Sequence, residues 1–489
     1  MSSVRRIARN TALLLIASVA SFVLGFFFTM YVARHLGAEG FGVLSFGLAF
    51  TAIFGVFTDI GLQALMIREI ARDKASAAKY LGNVAVVKVL LGILTFGVMA
   101  LVINLLDYPQ QTVNMVYLLG LAVVLNAFSL MFYAVFFAYE RMEFQALGQV
   151  LGGAILLAGA FWAISHDYSI AGFALFYAIA SLVTLGYSLA ISAWKFTLPR
   201  IEVDLGFWKR TFRETWTFGL AALFAGFFYY IDSVMLSLIK GEEAVGWYSA
   251  AYRLISVLYF IPMAYFSSIF PLMSRLHITS KELQRFTNER SFKYMLILGI
   301  PIGVGTTILA NKIVLLIFGL GYVNSITPLQ ILVWAIVFAF VSGVFTQSFA
   351  SANKQIVVTI VVTICAAVNV ILDIILIPRY GVTGASVSAL ATQSLVFVMY
   401  YVWGLRTGYS IPVRNLIGTA TRVFIASAIM CIFVLYLRNF YILALIPASV
   451  LLYFVVLYII RGIDKEDLSL LRSVFVRAQP TAADEKDER

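Results

Sequence analysis

Two cysteines and three histidines are all that this 489-residue sequence offers by way of thiol or imidazole chemistry. Cys365 and Cys431 both fall inside apolar runs, where a thiol behaves as a small apolar side chain, and no metal-ligand spacing links them. His35, His166 and His277 stand more than a hundred residues apart near the ends of such runs, which suits interfacial polar residues and not a catalytic cluster. Charge is equally scarce, at 12% of residues against 62% hydrophobic, and the mean hydropathy is +0.95. A surface so poor in charge would not hold a folded chain in solution, so a soluble enzyme is excluded. There is no basic stripe interleaved with aromatics, and the net charge of +11 therefore speaks for membrane topology and anionic headgroups as partners, not nucleic acid.

What the chain has instead is fourteen apolar runs long enough to cross a bilayer, at about 10–33, 40–67, 80–105, 114–138, 144–165, 169–194, 213–239, 244–275, 290–311, 326–350, 355–377, 381–405, 416–437 and 440–461. Of the 35 Lys and Arg, 28 lie at the two chain ends and in or beside the even-numbered loops. Five lie in odd-numbered loops (Arg34, Lys240, Lys312, Arg379 and Arg438), and Lys88 and Arg253 lie inside runs. The bias places the even-numbered loops and both termini in the cytoplasm. The expected fold is an all-α polytopic membrane protein of fourteen transmembrane helices in the plasma (cytoplasmic) membrane. Arg5, Arg6 and Arg9 precede a run from Thr11 to Val32 that is too long for a signal peptide, so it is read as the first retained helix.

Gly37-Ala38-Glu39-Gly40-Phe41-Gly42-Val43-Leu44-Ser45 recurs 204 residues later as Gly241-Glu242-Glu243-Ala244-Val245-Gly246-Trp247-Tyr248-Ser249, with four identities in nine positions. Tyr168-Ser169-Ile170-Ala171-Gly172 matches Tyr380-Gly381-Val382-Thr383-Gly384, and Phe137-Ala138 matches Phe349-Ala350, both at an offset of 212. These matches predict a six-helix unit duplicated in the same orientation. The expected organisation is an N-lobe over 1–205, a C-lobe over 206–410, helices 13 and 14 over 411–463, and a cytoplasmic amphipathic segment with a disordered tail over 464–489. Between the copies, Phe207, Trp208, Phe212 and Trp216 suggest an interfacial helix. The odd-numbered loops are all short, which argues against a membrane glycosyltransferase or polymerase that would need a larger outer site with paired carboxylates.

The glycine-rich Gly299–Gly305 stretch lies inside an apolar run and reads as a kink or hinge, not a phosphate loop. Ionisable residues within the runs are more telling, since a charge in hydrocarbon costs at least about 2.5–3.5 kcal/mol and must face a cavity or a partner. Arg253 sits about nine residues into the eighth run, roughly 13 Å from its outer end by helical rise. Tyr252, Ser256, Ser249 and Tyr259 lie on or beside its face, and Asp232 or Asp373 is a candidate counter-ion. Asp59 and Lys88 form a comparable pair nearer the cytoplasm, read either as an interhelical ion pair or as part of a working cavity. Gln347, Asn369 and Gln393 are candidate cavity amides, and Arg34 a candidate ligand or membrane-end anchor. A delocalised guanidinium with several donors suits a phosphate, which favours a binding role for Arg253. Asp59, Asp232 and Asp373 are the candidate ion-pair or coupling residues.

Tyr31-Val32-Ala33-Arg34-His35-Leu36-Gly37-Ala38-Glu39-Gly40-Phe41-Gly42, followed by Asp59-Ile60-Gly61-Leu62 and Ile67-Arg68-Glu69-Ile70-Ala71-Arg72, resembles the polysaccharide-transport or O-antigen flippase branch of the multidrug, oligosaccharidyl-lipid and polysaccharide exporter superfamily. Ala38 departs from the proline usual in that turn. The resemblance implies a non-enzymatic flippase that moves a polyprenyl-diphosphate-linked oligosaccharide to the outer leaflet for cell-surface polysaccharide. It implies alternating access around a cationic central cavity, with a basic residue where Arg253 stands; with the polar residues singled out above, the candidate substrate contacts are Arg253, Lys88, Arg34, Tyr252, Ser256 and Gln347. No cofactor beyond a coupling H+ or Na+ is implied, and polysaccharide assembly proteins are possible partners. The rival reading in the same superfamily is a cation-coupled drug or metabolite antiporter, with Asp59 at the coupling site and no need of a deep arginine.

Overall fold

A computed structural model describes residues 3–200, 202–408 and 413–463. The expected amphipathic segment over 464–477 and the tail after it lie outside the described residues. The helices are α1 (Ser3–Gly55), α2 (Leu62–Arg72), α3 (Ala77–Leu105), α4 (Gln110–Ala138), α5 (Glu143–Ser165), α6 (Ile170–Lys195), α7 (Leu205–Lys240), α8 (Glu242–Ser256), α9 (Phe260–Thr279), α10 (Lys281–Ile317), α11 (Ile326–Ser351), α12 (Gln355–Thr407), α13 (Val413–Tyr436) and α14 (Ile442–Ile459). α1 bends at Gly37 and α12 at Gly381, so each crosses twice, and α8 continues through a 3-10 turn at Val257–Tyr259 into α9 as one crossing. That gives fourteen crossings among the described residues. With no water inside hydrocarbon, each backbone must satisfy itself, and only helices do so strand by strand.

The bundle has a basic end, carrying most of the Lys and Arg, and a charge-poor end. α1 to α6 pack around α4 and α7 to α12 around α11, the two most buried helices, while α13 and α14 dock on α10. Outward faces are apolar: Leu90, Ile93, Leu94, Leu101 and Leu105 of α3 are all exposed, as a lipid-facing stripe requires.

The duplication is visible in backbone angles. Gly37 has φ 67, ψ −178 and Gly241 has φ 84, ψ 178, a left-handed turn that favours glycine in both copies. The α4–α5 and α11–α12 turns share their hydrogen bonds: Arg141 N to Phe136 O at 2.9 Å matches Lys354 N to Phe349 O at 2.8 Å, and Glu140 and Asn353 have φ 57 and 56. Those pairs are 213 apart, so Phe136, not Phe137, is the structural equivalent of Phe349. Two adjacent phenylalanines misled the sequence match by one residue.

Lipid tails are as apolar as leucine, so lobes are held by close packing, not by the hydrophobic effect. The repeated motif supplies it. A Cβ on Gly42 would lie 1.7 Å from the Glu242 carbonyl oxygen, and one on Gly246 1.9 Å from that of Ala38. These are reciprocal contacts of equivalent positions, and they bring the second limb of α1 against α8 backbone to backbone. Around this seam Tyr322 donates to the Ala33 and Gly37 carbonyls at 2.8 and 2.9 Å. Arg34 Nε and Nη2 donate to the Ile317 and Leu316 carbonyls at 2.8 and 2.5 Å, and Tyr108 Oη and Ser237 Oγ meet at 2.8 Å. The charge-poor end is closed.

Three expectations are corrected. The second run does not continue to residue 67: it ends in a 3-10 turn at Val56–Thr58, and Ile60 and Gly61, both at positive φ, turn the chain into the separate helix α2. The 207–216 segment is no separate interfacial helix, because α7 is continuous from its Asp204 cap to Lys240. At 36 residues, roughly 54 Å long, it projects well beyond a hydrocarbon core of about 30 Å. The glycine-rich stretch causes no break in α10; Gly299 and Gly303 instead let it approach Val337, Phe340 and Trp334 of α11.

Candidate functional site

Arg253 lies eleven residues beyond the start of α8, roughly 16 Å down its axis. Glu242 and Glu243 in the first turn favour the helix start, and Ala244, Val245, Tyr248, Ala251 and Ile255 bury the opposite face. Pro262 has no N–H to return to the Leu258 carbonyl, which accounts for the 3-10 turn just after the arginine. The Arg253 side chain crosses to the first lobe, where Nη2 donates to the Gly25 carbonyl at 3.2 Å, and it remains exposed to a cavity of about 700 Å³.

That cavity is walled mainly by the first lobe: Ser18, Ser21, Gly25 and Phe28 of α1, Thr51 of its second limb, Gln149 and Gly153 of α5 and Tyr177 of α6, with Tyr230 of α7 and Arg253 closing it. Its lining holds one cation, five hydroxyls, one amide and no carboxylate. Glycine at 25 leaves room for the guanidinium: a Cβ there would lie 3.0 Å from Arg253 Nη2 and would push it aside by a few tenths of an ångström. Sequence reading missed the first-lobe wall, although Ser18, Ser21, Gly25 and Phe28 recur at helical spacing on one face, three of them small.

Asp232 and Asp373 do not pair with Arg253; among the described residues no carboxylate lies within ion-pair distance of it. Asp232 lines a separate pocket of about 40 Å³ inside the second lobe, a volume on the scale of one water or ion, and Asp373 is fully buried beside it. Tyr248 donates to Asp232 Oδ2 at 2.5 Å, and the Asp232 and Asp373 carboxyls face each other within hydrogen-bonding range. Asn369 Nδ2 donates to Ser388 and Thr392 at 3.2 and 3.3 Å. This leaves Asp232 Oδ1, both Asp373 oxygens and Asn369 Oδ1 buried with no donor. Two buried carboxyl groups that face each other are suited to sharing a proton or to taking a small cation.

Tyr252 and Gln393 line this second-lobe pocket, so Tyr252 and Arg253, neighbours in sequence, serve opposite cavities. Ser256 donates to the Arg253 carbonyl at 2.8 Å. Gln347 lies far along α11 toward the basic end, in neither lining, half-buried. Lys88 is buried; its Nζ lies 2.6 Å from Asp59 Oδ1 and donates to the Thr58 carbonyl at 3.2 Å. This ion pair ties α3 to the break before α2, apart from the Arg253 cavity. Arg34 has its donors taken up by the end of α10, as above. A third cavity, about 400 Å³ and mostly apolar, lies where α13 and α14 meet α10, with Ile302, Met430, Val450 and Phe454 in its wall.

The family model described as polysaccharide biosynthesis protein matches residues 7–277, more than half of the chain. The chain belongs to the polysaccharide biosynthesis protein family. A second family model, MatE, matches residues 219–375. Among curated proteins this family member is 22% identical over 405 residues to the "Probable low-salt glycan biosynthesis flippase Agl15" of Haloferax volcanii, covering 81% of this chain and 82% of that one. It is 24% identical over 386 residues to the "Putative O-antigen transporter" of Shigella flexneri, covering 73% and 88%. Among solved structures it superposes on the lipid II flippase MurJ, inward closed conformation, with a TM-score of 0.74 at 17% identity, covering 92% of this chain and 98% of that one. An inward-facing multidrug MATE transporter of the MOP superfamily gives 0.69 at 14% identity, covering 80% and 94%. These likenesses establish the fold, that of a multi-pass membrane transporter.

Proposed function

We propose that this polysaccharide biosynthesis family member is a plasma-membrane flippase that carries a polyprenyl-diphosphate-linked oligosaccharide from the cytoplasmic to the outer leaflet. The observation that carries the reading is the Arg253 cavity: one guanidinium, five hydroxyls and an amide, with no acid to compete for the cation. A diphosphate leaving the headgroup layer loses its hydration, and a fixed guanidinium replaces it with charge-assisted hydrogen bonds. Hydroxyls and an amide suit the sugars. The apolar cavity between α10, α13 and α14 offers the prenyl chain a seat beside the lobe that carries the arginine. A cationic drug would meet like charge in the same place, which disfavours the multidrug reading. No bond is made or broken.

With the charge-poor end outside, as the lysine and arginine distribution places it, the seam at Gly42 and Gly246 shuts the outer side. Alternating access requires that seam to open while the basic end closes. Arg68 Nη2 to Glu214 at 2.5 Å and Lys79 Nζ to Asp204 at 3.2 Å already bridge α2 and α3 to the start of α7 at the basic end. The Asp232–Asp373 pocket is the coupling site in this reading, because α7 and both limbs of α12 meet there and a bound H+ or Na+ would change how they pack.

The test is the lipid-linked saccharide pool, scored by leaflet, in cells lacking the protein and in cells complemented with Arg253→Ala or Arg253→Lys. Intermediates should accumulate on the cytoplasmic leaflet in the deletion and the alanine variant, with partial recovery for lysine. A pool unchanged by deletion would sink the flippase reading.

A further inference from the structure

At the charge-poor end of the second lobe, the α7–α8 turn, the connection from α10 to α11 and the bend of α12 enclose a groove of about 690 Å³. That volume is within the range of roughly 300–1,000 Å³ typical of small-ligand sites. Only five of the 35 Lys and Arg lie in the connections at this end of the bundle, and two of them, Lys240 and Arg379, meet in this groove from positions 139 residues apart. Arg34 and Lys312 each donate to backbone carbonyls, Lys312 to Phe440 at 3.0 Å. Lys240 and Arg379, by contrast, are exposed and have no hydrogen-bond or ion-pair partner among the described residues.

The floor adds to their charge. α11 starts at Ile326 and the second limb of α12 at Gly381, so the positive ends of two helix dipoles point into the groove, although at α11 the Ile326 N–H is taken up by the Val323 carbonyl and Pro328 has none to offer. Thr383 adds a hydroxyl, and Glu243 is the single acid in the lining. Two aromatics complete it. Trp247 is fixed by its Nε1 donating to the Gly321 carbonyl at 3.2 Å, and Tyr380 stands 62% exposed. Cations and helix N-termini select an anion, and ring faces at the same site select something with C–H faces to stack on them.

We infer that this groove binds the anionic saccharide head of the translocated lipid on the side where it is released, an assignment that rests on the transport reading above. A saccharide bearing phosphate satisfies both halves of the site: the phosphate between Lys240, Arg379 and the helix starts, the sugar ring against Trp247. Release into such a site would bias the head away from the Arg253 cavity once the seam has opened.

The test is binding of glucose 1-phosphate, followed by tryptophan fluorescence, to the full-length protein in nanodiscs of zwitterionic lipid. Maltose serves as the neutral control and inorganic pyrophosphate as the ringless one. Glucose 1-phosphate should bind more tightly than either and lose affinity about tenfold in K240Q/R379Q, while Trp247→Phe abolishes the fluorescence change. A melting temperature equal to that of the unaltered protein shows that each variant is folded. Affinity that is unchanged in K240Q/R379Q, equal binding of maltose, or displacement of the probe by anionic lipid added to the nanodisc would each overturn the assignment. Binding needs no turnover: a protein that flips its substrate but binds nothing here loses only this site, and one that binds but flips nothing keeps the site and loses the transport reading.

Discussion

The two copies of the six-helix unit share their turns and differ in where they keep charge. Nine residues before the turn glycine, the first copy has Phe28 and the second Asp232; twelve residues after it, the first has Ala49 and the second Arg253. Nineteen residues before the positive-φ residue that ends the third crossing of each copy, Asp107 in the first and Gly319 in the second, the order reverses, with Lys88 in the first copy and Ile300 in the second. The first copy thus neutralises its buried cation with Asp59, while the second holds an arginine and two acids in separate cavities with no ion pair between them. Duplication set the architecture and divergence set the chemistry: one copy contributes most of a cavity wall, the other the charges that work in it.

The largest expected effect comes from the feature the copies share. Gly42→Ala or Gly246→Ala places a methyl within 2 Å of a backbone carbonyl, and no side-chain rotation can relieve a backbone clash. Either variant should hold the charge-poor end open and stop transport. Cysteine-labelling reagents added from outside should then reach positions on the α1–α8 interface that are protected in the parent. Because the contacts are reciprocal, the two variants should behave alike; labelling that rises in one and not in the other would break the equivalence of the copies.

Paired and unpaired charge should respond in opposite ways. Asp59→Ala strands the buried Lys88 ammonium, and breaking a buried ion pair typically costs about 3–5 kcal/mol. Purified yield and melting temperature should fall steeply and return in the Asp59→Ala/Lys88→Met double variant, with transport retained. Asp232→Asn leaves a polar group that still accepts from Tyr248, so the fold should persist while the dependence of transport on pH or sodium is lost. Transport that fails in the refolded double variant would move the first-copy pair from support to function.

Much of this was legible because the bilayer leaves few options: charge bias, run length and one repeated nonapeptide led to fourteen crossings and two parallel lobes. Arg253 was legible for the same reason, since an arginine in hydrocarbon needs a cavity. What the sequence hid was partnership. Depth alone makes Asp232 or Asp373 a candidate counter-ion, yet the direction a helical side chain takes depends on rotation about the axis, and Tyr252 and Arg253 show that one residue of rotation changes the lobe that is faced. The break at Asp59 was hidden too, because an apolar run does not reveal that Ile60 and Gly61 adopt positive φ.

The smallest expected effect lies at the join between the copies. Asp204 caps α7 by accepting from Phe207 N at 2.9 Å and pairs with Lys79 of α3 at 3.2 Å, while its own N–H donates to Asn83 at 3.0 Å. The backbone N–H first, then the Lys79 ammonium, hold its carboxyl below the usual carboxylate range. A depressed folded-state value means that the charged form stabilises the folded state above about pH 4, and that this contribution fades as the pH falls through the lower folded value. Asp204→Ala should lower the melting temperature slightly at pH 7, and the gap from the parent should close as the pH drops below about 4. Asp204→Asn, which keeps an N-cap acceptor and loses the charge, separates the two causes: a melting temperature near the parent at pH 7 assigns the effect to the cap, and one near the alanine variant assigns it to the tie with Lys79, which together with Arg68–Glu214 fastens the second copy's first helix to the first copy.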